Sequence, residues 1–159
     1  VHQSDESNRP GAIMPLIDWS DRYSVGHPAM DHDHRMLVRI VNRLHQARLA
    51  EEDPAVVAET ISALRRYVED HFAREERLMA EVAYPGLDEH GQAHRRIEDT
   101  VRDYEVLAAA APDGLDTGRL LDFLKDWLLN HILKTDRAYS AYLDKLSPGA
   151  AIDPLSRAG

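Results

Sequence analysis

The stretch Tyr67-Val68-Glu69-Asp70-His71-Phe72-Ala73-Arg74-Glu75-Glu76-Arg77-Leu78-Met79 decides the fold. Val68, His71, Glu75 and Leu78 recur at spacings of three and four, the period of one helix face. The same stripe runs back through Leu64, Ile61 and Val57 and forward to Val82. Two of its members, His71 and Glu75, are ionisable and stand one helical turn apart on the apolar side. The helix opens cleanly at Asp53-Pro54, an N-cap followed by proline at the first helical position. Tyr84-Pro85-Gly86 ends it.

Three more helices flank this one. Upstream, His34, Leu37, Val38, Val41, Leu44 and His45 share a face, and that helix must stop before Pro54. Downstream, residues 87–111 carry His90, His94, Ile97, Val101, Tyr104 and Leu107 inward, up to Pro112-Asp113-Gly114. A fourth helix opens near Asp116 or Thr117 and runs to about Leu146. Leu120, Leu124, Trp127, Leu128, His131, Thr135 and Tyr139 lie on or near its stripe, and Ser147-Pro148-Gly149 closes it. Residues 1–12 read as a polar flexible tail and 147–159 as a frayed C-terminal one. The text up to Pro28 (Ile13, Leu16, Ile17, Trp19, Tyr23, Val25) is apolar but broken, as expected of an extended arm packed on the domain. Residues 13–146 therefore form one all-α domain, an antiparallel up-down-up-down four-helix bundle with an N-terminal arm.

Composition narrows the chemistry. The 159 residues are 43% hydrophobic and 30% charged, an ordinary globular balance, with 19 Lys+Arg against 28 Asp+Glu and a net charge of −9. A surface this acidic repels phosphate backbones and anionic lipid, which argues against nucleic-acid and membrane-surface binding. No apolar run approaches a membrane span. The first residues have no signal-peptide layout, and a cytoplasmic protein is expected. The chain begins without Met, so a processed chain or a segment of a longer one is expected. There is no cysteine, which excludes disulfides, thiolate metal sites, iron–sulfur clusters and a cysteine nucleophile. The anomaly is nine histidines against two phenylalanines.

Every helix places at least one histidine on its apolar stripe: His34, then His71 with Glu75, then His90 with His94, then His131 followed by Asp136. Taken singly, each reads best as a hydrogen-bonded core residue. Together they are seven ionisable groups on converging stripes, each costing several kcal/mol if buried alone. A domain stabilised by only about 5–15 kcal/mol cannot absorb that, and metal coordination satisfies all of them at once. Five imidazoles and two carboxylates are too many for one tetrahedral zinc and too nitrogen-rich for calcium or magnesium. Two octahedral ions sharing both carboxylates and one bridging oxygen would fill eleven of twelve positions. Imidazole with carboxylate suits iron, and a redox-active pair with one vacancy suits dioxygen. In a regular helix Asp136, five residues after His131, lies about 140° round from it, so it is expected to reach between two metals rather than join His131 on one.

These motifs resemble the hemerythrin family, its bacterial form in particular. The likeness covers about residues 16–146. It rests on Trp19, Met30-Asp31-His32-Asp33-His34, the quoted stretch around His71, His90 with His94, and Trp127-Leu128-Leu129-Asn130-His131-Ile132 leading to Asp136. The resemblance implies two irons. One would take His90, His94 and His131 and be coordinatively full. The other would take His34 and His71 and keep an open position for end-on dioxygen. Glu75 and Asp136 would bridge them with an oxo or hydroxo group. Reversible binding needs a dry pocket, expected to be lined by Leu37, Phe72, Trp127, Leu128 and Ile132.

Dioxygen carriage, storage or delivery to an oxygen-using enzyme is the expected role. An oxygen- or redox-sensing input module for a signalling output domain is the alternative. A di-iron enzyme is disfavoured: bundle oxygenases and oxidases use Glu-x-x-His pairs, and this chain has none. His27 and His32 depart from the family pattern and are expected in a loop and in solvent. His45 returns to the face of His34 about 16 Å along the helix, too far for the same metals.

Overall fold

Three of the four rods start where the chain supplies a side-chain cap or a proline. In the computed structural model, which describes residues 14–146, α1 (Pro28–Leu49) opens with proline in its first turn. α2 (Pro54–Glu81) opens on Asp53, whose carboxylate accepts the Ala55 N–H at 2.8 Å. α3 (Leu87–Ala110) follows Gly86. α4 (Thr117–Asn130) opens on Asp116, which accepts the Arg119 N–H at 3.0 Å. α4 then passes without a break in helical backbone through a π-helical turn (His131–Asp136) into α5 (Arg137–Leu146). These three segments form the fourth rod of the bundle. The tails expected at residues 1–12 and 147–159 lie outside the described residues.

α1 packs on α2 and α4, and α2 packs on α3. The core they enclose is aliphatic over most of its length: Leu37, Val41, Leu44, Ile61, Leu64, Val68, Leu120 and Leu124 are all essentially sealed from solvent. α2 buries a broader face than one stripe, because it meets α1 on one side and α3 on the other. Phe72 and Met79 are fully buried, whereas Leu78 and Val82, expected inward, are only partly covered. Ile97, Tyr104 and Leu107 on α3 are likewise partly covered, as is His45 on α1.

The arm is tied rather than loose. Asn42 on α1 accepts the Ile17 N–H at 2.9 Å and donates to the Ile17 carbonyl at 2.8 Å. Val25 N–H donates to the Asp31 carboxylate, and the Ser140 hydroxyl donates to the Val25 carbonyl. Ile17, Tyr23 and Val25 are buried. The arm thereby runs along α1 from Asn42 back to its first turn, where it also meets α5 at Ser140.

Candidate metal centre

At one level of the bundle the aliphatic core gives way to the seven ionisable side chains singled out above. All seven are buried, with no residue more than 6% exposed. They fall into two overlapping sets whose ligand atoms lie within 4.8 Å of one another: Glu75, His90, His94 and His131; and His34, His71, Glu75 and Asp136.

The two carboxylates span the sets. Glu75 Oε1 faces His71 Nε2 at 3.2 Å and His34 Nε2 at 3.8 Å, while its Oε2 faces His94 Nε2 at 3.1 Å and His90 Nε2 at 3.5 Å. Asp136 Oδ2 lies 2.9 Å from His34 Nε2, while its Oδ1 lies 3.0 Å from His131 Nε2 and 3.4 Å from His90 Nε2. Each carboxylate therefore turns one oxygen to each group of histidines.

Asp136 corrects one expectation. It does not stand 140° away from His131 but beside it, because the segment between them is π-helical. An i→i+5 turn brings residues five apart nearly one above the other. Asp136 still spans both histidine groups.

Unshared, these groups strain the core. His34 Nε2, His71 Nε2, His90 Nε2 and both oxygens of Glu75 and Asp136 are buried and face one another closely, yet none of these contacts is aligned as a hydrogen bond. Burial would lower the imidazole pKa values, but the carboxylates prevail: Glu75, with Asp33, lifts His71 to about 9, and Asp136 lifts His131 to about 10. Burial would raise Glu75, but the facing imidazoles, His71 foremost, hold it well below the usual carboxylate range. Burial and the Glu75 charge push Asp136 up, yet His131 and His34 bring it down. His94 goes the other way, lowered mainly by burial. A nitrogen-rich, anionic, orphan-lined cluster is a donor set that fits a pair of iron ions.

Outer partners hold the imidazoles, and the sequence reading missed them. Asp33 on α1 lies 2.8 Å from His71 Nδ1, accepts from Arg74 at 2.9 Å and accepts the Tyr67 hydroxyl at 2.9 Å. Burial opposes its charge, but His71, Arg74 and Tyr67 hold its pKa at about 2. Glu76 lies 3.4 Å from His94 Nδ1 and accepts from Arg95 at 2.5 Å. Metal-ligating histidines characteristically hand their second N–H to such groups.

Phe72 stacks on His94 with ring centroids 3.7 Å apart and meets Trp127 edge-on at 5.8 Å. Trp127 also lies 5.8 Å from His131. Both rings thus contact the three-histidine group. Leu37, Leu128 and Ile132 are buried in the adjoining core, and Trp127 is partly buried. His27 precedes α1, with its Nε2 3.6 Å from Asp144, and His32 is exposed.

The family model described as Hemerythrin HHE cation binding domain matches residues 25–143. The chain belongs to the hemerythrin family. Bacteriohemerythrin of Stenotrophomonas maltophilia (strain R551-3) is 35% identical over 127 residues, 80% of this chain and 81% of that protein. Myohemerythrin of Riftia pachyptila is 30% identical over 125 residues, 79% of this chain and 92% of its own length. A crystal structure of wild-type hemerythrin superposes with a TM-score of 0.73 at 26% identity, covering 79% of this chain and 96% of that one. A hemerythrin domain implies non-heme iron as the cation held. No helix among the described residues is long and apolar enough to cross a membrane.

Proposed function

We propose that this hemerythrin domain binds dioxygen reversibly at a pair of irons, with His90, His94 and His131 on one, His34 and His71 on the other, and Glu75, Asp136 and a solvent-derived oxo or hydroxo group between them. The observation that carries this reading is the division of each carboxylate's two oxygens between the two histidine groups. When bound, the irons supply the electrons and the open coordination position that dioxygen binding requires.

The chain does the rest. Asp33 and Glu76 fix the ring orientations of His71 and His94 by accepting hydrogen bonds from their Nδ1–H groups, so that Nε2 faces inward. Phe72, stacked on His94, holds that ring from the side. Leu37, Phe72, Trp127, Leu128 and Ile132 keep water and stray protons from the centre, and this exclusion makes release of dioxygen the reverse of its uptake. The nitrogen-rich donors supply little negative charge to stabilise high-valent iron, and so favour carriage, storage or delivery over substrate oxidation.

The test is iron analysis with visible spectra taken reduced, then aerated, then degassed. Two irons per chain are expected, with a band that appears in air and fades on degassing. Protein grown with ample iron that stays colourless in air, or that holds one zinc, overturns the proposal.

A further inference from the structure

A row of tyrosines joins the centre to the surface. Tyr139 on α5 stands edge-on to His90, with ring centroids 6.5 Å apart. Tyr84, in the connection between α2 and α3, meets Tyr139 at 5.3 Å, and Tyr142 on α5 meets Tyr84 at 5.1 Å. All three spacings are those of aromatic rings in contact. Tyr139 is sealed from solvent, whereas Tyr84 and Tyr142 are partly exposed. The row therefore begins at an imidazole of the centre and ends at water.

Packing alone does not account for Tyr139. Its hydroxyl is buried with no hydrogen-bond partner. An orphaned buried hydroxyl costs about 1–3 kcal/mol, and phenylalanine would fill the same space without that cost. What the hydroxyl adds to the ring is ease of oxidation, because a phenol gives up an electron far more readily than a benzene ring. The outer rings are also held in place. Tyr84 lies against Gly86, where a Cβ would stand 2.8 Å from Tyr84 Cε1, and the Tyr142 hydroxyl donates to the Val82 carbonyl at 3.4 Å. The centre has use for such an outlet. Donors that stabilise high-valent iron poorly make an over-oxidised pair a strong oxidant of its own imidazoles.

We propose that Tyr139, Tyr84 and Tyr142 carry oxidising equivalents from the iron pair to the surface when the centre meets hydrogen peroxide. The proposal rests on the di-iron reading. Reducing one peroxide to two waters breaks the O–O bond and takes two electrons and two protons. With the pair already ferric, both electrons come from the chain. Tyr139 has no acceptor for its proton, so it passes electrons along without keeping the oxidation. Tyr84 and Tyr142 each lose one electron and one phenolic proton. Without an outside reductant, the two phenoxyl radicals join through ring carbons, and the displaced ring hydrogens return to the oxygens. The products are one dityrosine and two waters. With ascorbate present, two ascorbates supply the electrons and protons instead, and both tyrosines are restored.

The experiment treats iron-loaded, air-oxidised protein with one equivalent of hydrogen peroxide and reads dityrosine fluorescence and peptide masses. A Tyr84–Tyr142 link with loss of two hydrogens is expected, suppressed by ascorbate and absent from iron-free protein. Tyr142→Phe should abolish the link, and a nitroso spin trap should then mark Tyr84. Tyr139→Phe keeps the ring and removes only the hydroxyl; it should lose the link while circular dichroism shows an intact bundle. Tyr104→Phe removes a tyrosine about 20 Å from His90 along α3 and should leave the link unchanged. No link, a wild-type yield in Tyr139→Phe, or oxidation spread evenly over Tyr23, Tyr67 and Tyr104 each overturns the proposal. Iron content is read on the same samples. Protein without iron overturns the di-iron reading and this proposal with it, whereas protein with both irons and no oxidised tyrosine overturns this proposal alone.

Discussion

Asp33 is a residue whose removal separates holding a metal from holding a fold. It contributes no ligand atom, yet His71, Tyr67 and Arg74 all converge on its carboxylate. Asp33→Asn keeps the shape and removes the charge that orients the His71 ring, so iron affinity should fall about 10–100-fold. Chelator competition measures this, with circular dichroism confirming an intact bundle; undiminished affinity would remove Asp33 from the supporting role. Leu128 makes the complementary case. Leu128→Ala opens space in a sealed core, should cost about 2–5 kcal/mol of stability, and should speed autoxidation by admitting water. A destabilised variant that autoxidises at the wild-type rate would show that Leu128 packs the core without guarding the centre. The ligand candidates were legible because apolar stripes made their positions anomalous. Asp33 was not, because an acid in the first turns of a helix is ordinary and its partner lies 38 residues away in the chain. Only tertiary structure joins them.

At the scale of elements, the starts of α2 and α4 could be read from Asp53-Pro54 and Asp116, since capping is local chemistry. The π-helical turn could not, because an angular argument presumes 3.6 residues per turn. The spacing of His131 and Asp136 carried the signal all the same: two ligands five apart share a face only if the helix is underwound between them. The end of α2 offers a test of local strain. Ala83 sits at φ 52°, and the Tyr84 N–H behind it closes on the Met79 carbonyl at 2.9 Å. This six-to-one closure requires a left-handed residue, and alanine there carries a penalty of about 1–2 kcal/mol that glycine does not. Glycine gives back part of the gain through its freer unfolded chain, so Ala83→Gly should stabilise by roughly 0.5–1 kcal/mol. Urea unfolding decides it, and a lower midpoint for the glycine variant would contradict this account of the turn.

For the molecule as a whole, the centre makes stability depend on pH in opposite ways with and without metal. In the metal-free protein His71 and His131 are raised to about 9 and about 10, so their protons stand in for the missing cations. A group whose folded pKa is raised stabilises fully below its unfolded value, near 6.5, and the contribution disappears as pH climbs through the folded value. The metal-free bundle should therefore weaken steadily between about pH 6.5 and 10. Asp33, held at about 2, works at the other end, giving stability that is lost as pH falls from about 4 toward 2. Iron must displace the imidazole protons to bind, and each proton displaced changes the linked free energy by about 1.4 kcal/mol per pH unit. The gap in thermal midpoint between iron-loaded and metal-free protein should accordingly widen from pH 6.5 toward 9 and narrow below it. A gap that stays constant across that range would mean that metal and protons do not compete for the same nitrogens.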